Sequence, residues 1–235
     1  HLLSRRQRQM CIRDRAMTVV VSIILVYTSL NICGNLVLYF FRFDVGNEGA
    51  YSIFAAVAFA AQVLVMMVIP LLRKRFSKSQ LFISGFIIQI AGFAVILIMA
   101  FAKLYTPQSW YILCLPGILI YLGYGMLNVI MTIFLSDSVD YGEVMNGTRE
   151  ESVIFSMQTF TVKLASGVAV FLAGLVVDWI HLDTAAAVQT QDTLDALRMW
   201  MTIPSVILLI VGIFVFKRFY KLDDTRMEEI KSKLN

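Results

Sequence analysis

The sequence predicts an all-α integral membrane protein with six transmembrane helices. Of its 235 residues, 59% are hydrophobic and only 15% are charged, and the mean hydropathy is +0.76. Soluble domains are about 45–50% apolar and about 25% charged. This composition excludes a soluble globular domain, a disordered chain and a disulfide scaffold. Six stretches satisfy or approach the roughly 20 apolar residues that a helix needs to cross the hydrocarbon core.

The six predicted spans follow one another with short connections, so no loop is long enough to form a soluble domain. They cover residues 16–41, 49–72, 79–102, 110–136, 152–177 and 199–216. An even number of spans places both ends of the chain on one side of the bilayer.

Residues 1–15, HLLSRRQRQMCIRDR, precede the first predicted span. They contain five arginines and show no periodicity that would fit a helix face. They also lack the apolar core and small-residue cleavage site of a signal peptide. The run MCIRDR resembles translated sequencing-linker read-through. We interpret the segment as non-native sequence or, alternatively, as a basic cytoplasmic linker into the first helix.

Polar side chains recur at helical spacing on the first and fourth spans. On the first span they are Thr28, Asn31, Asn35 and Tyr39, and on the fourth they are Tyr121, Tyr124, Gly125, Asn128, Thr132 and Ser136. A lone Ser or Thr in a membrane helix often bonds its own backbone, whereas Asn is costlier to bury. These faces therefore predict a shared aqueous cavity.

Lys163 is the most informative residue of the fifth span. It lies eleven positions into the span that starts at Ser152, or roughly 16 Å along the axis, which is too deep for snorkelling. A charge at that depth costs at least about 2.5–3.5 kcal/mol. No Asp or Glu occurs inside the six predicted spans, so we expect its partner to come from another polypeptide segment or a ligand. A structural lysine held by backbone carbonyls and water is the alternative.

Two faces of the fifth span accompany this lysine. The polar or small face contains Ser152, Ser156, Thr159, Lys163, Ser166 and Gly167 and is bordered by Gln158 and Val162. A second face contains Ala165, Ala169 and Ala173 at a spacing of four residues. The first face predicts a pathway lining, and the second predicts close packing on a neighbouring helix.

The segment between the fourth and fifth spans is acidic. Residues 136–151, SDSVDYGEVMNGTREE, carry five carboxylates and one arginine. Such a mixture predicts ion pairs with Arg73, Lys74 or Arg75 that close a cytoplasmic gate. Solvated surface charge is the alternative, because exposed pairs contribute only about 0–1 kcal/mol each.

The distribution of Lys and Arg predicts the orientation, because translocation disfavours positive charge. One side holds three such residues, Arg42, Lys103 and Arg198. The other side holds eleven, namely Arg73, Lys74, Arg75, Lys78, Arg149, Lys217, Arg218, Lys221, Arg226, Lys231 and Lys233. The second side, the tail 217–235 and both chain ends are therefore predicted to be cytoplasmic.

Several function classes find no support in the residues. The basic side chains lie in short gaps between apolar runs, which excludes a nucleic-acid surface. The three cysteines and two histidines show no metal-ligand spacing. An enzyme that uses Lys163 as nucleophile or base is disfavoured, because no acid, histidine or cofactor motif lies in the predicted spans. We therefore expect no enzyme, no metal and no cofactor.

The run from Asp137 to Lys163, DSVDYGEVMNGTREESVIFSMQTFTVK, resembles the signature of the glycoside-pentoside-hexuronide cation symporters. It is most similar to the bacterial melibiose carriers, which read Asp-x-Val-Asp-Tyr-Gly-Glu, a basic loop residue, Glu-Ser, Ser-x-Gln-Thr and a membrane-embedded Lys. The resemblance extends over residues 16–235, including the end FKRFYKL.

The resemblance implies the C-terminal half of a twelve-helix major-facilitator fold and a cation-coupled symport of a sugar or glycoside across the cytoplasmic membrane. It implies that the region around Gln158, Thr159, Val162 and Lys163 contributes to the sugar and cation sites. The coupling cation, sodium or proton, would bind mainly to aspartates of the missing N-terminal half. The implied partners are thus a sugar, a cation, the lipid bilayer and that N-terminal half.

The resemblance also assigns a cytoplasmic gate. Asp137, Asp140 and Arg149 match charged residues of the family's gate, and the loop from Arg73 to Arg75 is expected to pair with them.

One position departs from the melibiose pattern. Asn128 replaces a Trp that packs against the sugar in those carriers. This leaves the identity of the glycoside open. We expect Gln158, Thr159 and Asn128 to bond sugar hydroxyls and Tyr124 to stack on a sugar ring.

Two alternatives use only the six spans. One is a non-transporting half-size membrane module, such as a scaffold or a sugar sensor. The other is a half-transporter that works as a homodimer.

Overall fold

A computed structural model describes residues 2–146, 151–186 and 188–219, and every regular element in these ranges is helical. The six long helices are α1 (Leu2–Tyr39), α2 (Ala50–Leu72), α3 (Lys78–Phe101), α4 (Cys114–Asn146), α5 (Glu151–Trp179) and α6 (Gln191–Phe219). Each contains a segment long and apolar enough to cross a membrane. The predicted all-α membrane fold with six transmembrane helices is therefore confirmed.

The first helix extends beyond the predicted span at both ends, because α1 begins earlier and a π-helical segment continues it. It begins at Leu2 and so includes most of the segment that precedes the first predicted span. Beyond Tyr39 the chain continues as a π-helical segment, Phe40–Val45, which ends at Gly46 with a φ of 74°. Glycine adopts this left-handed conformation without a steric cost and stops the helix. The apolar part of the first helix therefore reaches Val45.

Two expectations about the spans are corrected here. The helix α6 begins at Gln191, eight residues before the predicted span, and its first turns bury Thr193, Leu197 and Arg198 while Gln191 and Asp192 stay exposed. The spans also contain carboxylates, since Asp44 lies in the π-helical end of the first span and Asp137 lies within the fourth, which extends to Asp140. The predicted tail starts within α6, and residues 220–235 lie outside the described residues.

The central helices are α1 and α4. The helix α1 packs against α4, α5 and α6, and α4 also packs against α2 and α3. Glycines allow the closest approach: a Cβ atom on Gly123 would lie 2.6 Å from the backbone oxygen of Gly85 and the backbone nitrogen of Gln89. The rings of Phe82 of α3, Phe134 of α4 and Phe216 of α6 also pack together.

The helix α5 lies at the edge of the unit and packs mainly on α1. Its buried residues are Thr161, Ala165, Ala169, Ala173 and Val176. The prediction that the alanine face packs on a neighbouring helix is confirmed. The opposite face of α5 stays exposed, and it carries both apolar side chains and the polar residues predicted to line a pathway.

Candidate functional site

Polar side chains of α1, α4 and α5 meet within the spans. We call Tyr27, Tyr124, Asn128, Thr132 and Gln158 the polar cluster. The Asn128 Nδ2 donates to the Tyr27 Oη at 2.6 Å, and the Gln158 Nε2 lies 3.5 Å from the Thr132 Oγ1. The rings of Tyr27 and Tyr124 meet edge to face at 5.5 Å. Four residues singled out from the sequence, Tyr124, Asn128, Thr132 and Gln158, are thus brought together.

The polar cluster retains unused hydrogen-bonding capacity. Asn128 and Gln158 are half-buried, and the carboxamide oxygen of Asn128 accepts no hydrogen bond from any described residue. The hydroxyl of Thr132 donates to the Asn128 backbone oxygen at 3.0 Å. Half-buried groups with unused donors and acceptors suit a polar ligand, because leaving them unpaired is costly.

The role of Tyr27 was not predicted from the sequence. Its hydroxyl accepts the Asn128 amide, so it belongs to the polar cluster as much as the residues of α4 do. The sequence carried a signal for it, because Tyr27 precedes Asn31 by four positions and therefore shares its helix face.

Asn31 and Asn35 of α1 each donate one hydrogen bond within their own helix. The Asn31 Nδ2 donates to the Tyr27 backbone oxygen, and the Asn35 Nδ2 donates to the Asn31 backbone oxygen, each at 2.7 Å. These bonds remove part of the reason for expecting an aqueous cavity beside α1. On α4, by contrast, the Asn128 amide bonds a different helix.

Lys163 lies on the exposed face of α5. It follows Gln158 of the polar cluster by five residues and lies one turn beyond Thr159. Among the described residues, none has a carboxylate oxygen within 4.0 Å of its ammonium group. The exposed Thr159 donates its hydroxyl proton to the Phe155 backbone oxygen at 3.0 Å. Val162 is half-buried against the core. Lys163 and Thr159 therefore face outward from the six-helix unit.

The predicted gate residues are arranged differently from the expectation. Asp137 is 2% exposed and forms an ion pair with Lys78, at the start of α3. Arg73 and Arg75 are exposed and form no ion pair within the described part of the chain. Asp140 is half-buried, and Arg149 lies outside the described residues.

Asp137 thus pairs with Lys78 in the described structure, and a pairing of the gate residues with the Arg73 to Arg75 loop stays a prediction. A capping box places Lys78 there: Ser77 accepts from the backbone of Gln80, and the Gln80 side chain accepts from the backbone of Ser77. This cap begins α3 at Lys78, whose side chain reaches Asp137 of α4.

A second buried ion pair lies at the other ends of the helices. We call Asp44, Tyr105, Asp195 and Arg198 the Asp44 clasp. The Arg198 Nε donates to one oxygen of Asp44 at 2.8 Å and its terminal nitrogen donates to the other at 2.5 Å. Both side chains are 3% exposed. The other terminal nitrogen of Arg198 donates to Asp195 at 2.6 Å.

Tyr105 completes the Asp44 clasp from the connection between α3 and α4. Its hydroxyl donates to Asp44 at 2.5 Å. Burial, followed by the adjacent Asp44 carboxylate, raises the pKa of Tyr105 above its usual value. The phenol therefore stays protonated and holds this connection to α1 and α6.

The comparisons with known proteins agree with this architecture. The family model described as MFS/sugar transport protein matches residues 3–224. The uncharacterized symporter YjmB of Bacillus subtilis (strain 168) is 26% identical over 219 residues, which cover 93% of this chain and 46% of that protein. The isoprimeverose transporter of Lactiplantibacillus pentosus is 26% identical over 79% of this chain and 37% of its own length.

A third relative is shorter. The uncharacterized 29.9 kDa protein in the crtE 3' region of Pseudescherichia vulneris is 28% identical over 82% of this chain and 68% of its own length. The chain thus spans less than half the length of the two named transporters and about two thirds of this smaller relative.

These matches confirm the resemblance to sugar symporters at the level of the family, and they agree with the expectation that the chain is not an enzyme. Six helices are long and apolar enough to span a membrane, and the family model matches most of the sequence. The chain is a multi-pass membrane protein and belongs to the MFS/sugar transport protein family.

Proposed function

We propose that this chain is the C-terminal six-helix half of a carrier that takes up a sugar or glycoside by cation symport. The observation that carries the proposal is the exposed Lys163 in the middle of α5, with no described carboxylate beside it. An ammonium group at that depth is too costly to face lipid. A second six-helix half, with the ligand and water between the halves, would give it polar surroundings.

The sugar site is proposed at the polar cluster and the adjacent face of α5. The unused oxygen of Asn128 and the half-buried Gln158 support hydrogen bonds to sugar hydroxyls. Thr159 donates within its own helix, so we expect its hydroxyl oxygen to accept from the sugar. The ring of Tyr124 is buried between Tyr27 and Tyr121 and would offer only its edge to a sugar ring.

The coupling cation, sodium or proton, is proposed to bind mainly to the other half. Asp44 and Asp137 are carboxylates whose side chains are buried in the described structure, and they are already paired with Arg198 and Lys78. A carboxylate engaged by a cationic side chain is a poor ligand for a further cation. Lys163 would couple the sites electrostatically by facing carboxylates of the other half.

Both chain ends are proposed to be cytoplasmic, in the cytoplasmic membrane, because eleven of the loop and tail cations lie on that side and three on the other. The Lys78 to Asp137 pair would then join the cytoplasmic ends of α3 and α4. Arg73 and Arg75 stay exposed and would be free to contact the other half when a gate that includes Asp140 and Arg149 closes.

Uptake of labelled isoprimeverose, melibiose and lactose tests the proposal, in cells that produce this chain together with its complementary half. We expect Lys163→Val to abolish concentrative uptake. Lys103→Asn removes the charge of an exposed lysine in a connecting loop and tolerates the backbone φ of 48° there, so it should leave uptake intact. Concentrative uptake by the Lys163→Val carrier at the wild-type rate would contradict the assignment. Wild-type uptake that does not depend on the sodium or proton gradient would refute cation coupling but would leave sugar transport standing.

A second candidate is a half-size protein, either a non-transporting scaffold or sugar sensor or a homodimeric half-transporter. The relative of 29.9 kDa favours it, because this chain covers 68% of that protein. The exposed face of α5 would then meet a second copy. Saturable sugar uptake by vesicles that contain only this chain would establish the homodimer, and saturable binding without uptake would favour the sensor.

A further inference from the structure

We propose that Tyr27 of α1 is a further substrate-binding residue, which acts with Asn128 to recognise one hydroxyl group of the sugar. This inference rests on the proposed function. Tyr27 and Asn128 lie 101 positions apart in the sequence, yet their side chains share a hydrogen bond of 2.6 Å. The bond joins α1 to α4 within the spans.

The bond fixes the orientation of the Asn128 carboxamide. Its nitrogen points to the Tyr27 hydroxyl, so its oxygen points away from Tyr27 and has no partner among the described residues. Tyr27 is itself held in place, because its ring packs edge to face on Tyr124 at 5.5 Å and its backbone oxygen accepts from Asn31 at 2.7 Å. Both residues are half-buried rather than enclosed, which leaves them accessible to a ligand.

The two side chains together offer one donor and one acceptor. A phenol has one proton and two lone pairs. The Tyr27 oxygen accepts from Asn128 and also contacts the Tyr124 hydroxyl, which can donate to its second lone pair. The Tyr27 proton then remains available to donate, and the Asn128 oxygen remains available to accept. A sugar hydroxyl is both donor and acceptor, so a single hydroxyl satisfies both groups. An apolar substituent in the same place would leave two half-buried polar groups unpaired.

The test measures uptake by the carrier that contains this chain, with isoprimeverose, melibiose and lactose as probes. Tyr27→Phe removes only the hydroxyl and keeps the ring on Tyr124. We expect it to raise KM by about five- to tenfold with an unchanged maximal rate. The reason is that the lost hydrogen bond would stabilise the bound state and the transition state equally. Tyr111→Phe is the control, because Tyr111 is exposed in the connection between α3 and α4 and lies outside the polar cluster.

Monodeoxy derivatives of the transported sugar locate the recognised hydroxyl. We expect one derivative to inhibit wild type and Tyr27→Phe equally, because its missing hydroxyl is the one that Tyr27 binds. An unchanged KM in Tyr27→Phe, or a lower maximal rate at constant KM, would overturn the inference and leave the proposed function standing. If wild type takes up none of the probes, the proposed function fails, and this inference fails with it.

Discussion

At the scale of single residues, the Asp44 clasp is the costliest arrangement in the described structure. Two charged side chains are almost fully removed from solvent, and each would be strongly unfavourable alone. Two direct bonds between Asp44 and Arg198, with further bonds to Tyr105 and Asp195, satisfy most of their hydrogen-bonding groups. The clasp therefore holds the ends of α1 and α6 and the connection after α3 as one block.

Removing one partner of this pair is expected to leave an uncompensated buried charge. We predict that Arg198→Met lowers the free energy of unfolding by about 3–5 kcal/mol. Arg42→Met is the control, because Arg42 forms an exposed pair with Glu48 at 3.8 Å and should cost at most about 1 kcal/mol. Denaturant unfolding of the purified chain in detergent measures the free energy of unfolding of both variants. Equal decreases would show that the Asp44 clasp contributes no more stability than an exposed ion pair.

The residues identified from the sequence have charged or carboxamide side chains that are energetically unfavourable deep within a membrane span. Lys163, Asn128 and Gln158 stand out because charge and carboxamide groups are rare within apolar runs. The pairing of Asp44 with Arg198 was not predicted, because charges are ordinary at the ends of spans and 154 positions separate these two residues. Only tertiary packing shows that these two are buried together.

At the scale of the helices, the close packing of α3 on α4 depends on glycine. The backbone of α3 approaches Gly123 so closely that a Cβ atom would lie 2.6 Å from two of its backbone atoms. Backbone atoms cannot move aside as a flexible side chain does, so a larger residue must separate the two helices. Small residues at such positions supply van der Waals contact where no hydrophobic driving force acts between helices.

We predict that Gly123→Ala destabilises the fold by about 1–3 kcal/mol, the usual cost of overpacking. Gly174→Ala in α5 is the matched control, because nothing lies within 4 Å of the place that a Cβ atom would take there. Alanine there should be neutral or slightly stabilising, since it favours the helix over glycine by about 1 kcal/mol. Unfolding in a titration of denaturing detergent compares them, and equal stability of the two variants would contradict the packing argument.

The apolar pattern predicted some helices better than others. The spans 49–72 and 79–102 agree with α2 and α3 to within one residue, because polar turns flank both apolar runs. The start of α6 was missed because its first turns carry Asp192, Asp195 and Arg198, which resemble a loop. The π-helical end of α1 has no sequence signal beyond the glycine that terminates it.

At the scale of the whole molecule, the six-helix unit has two unequal sides. The helices α1 and α4 are well covered by their neighbours, whereas α2 and α5 expose large apolar side chains. Phe59, Leu64 and Met67 of α2 and Phe160 and Phe171 of α5 are among them. Lipid would suit these apolar residues, but it would not suit Lys163 on the same helix α5.

The surroundings of Lys163 therefore report whether a second half covers α5. We predict that Lys163→Cys, in a background without other cysteines, reacts at least about tenfold faster with a membrane-impermeant thiol reagent when the complementary half is present. The reason is that an aqueous cavity between the halves would hydrate this position and favour the reactive thiolate. In the chain alone, embedded in lipid nanodiscs, the same thiol would face hydrocarbon and react slowly.

Leu164→Cys is the control for this experiment. Leu164 lies at almost the same depth and is exposed, but it points about 100° away around the helix. Its thiol should stay unreactive in both preparations, because that flank of α5 faces lipid in either case. Equal and slow reaction at position 163 with and without the complementary half would exclude an aqueous cavity there. Fast reaction in the chain alone, lost on dilution into single-copy nanodiscs, would instead identify a second copy of this chain as the partner.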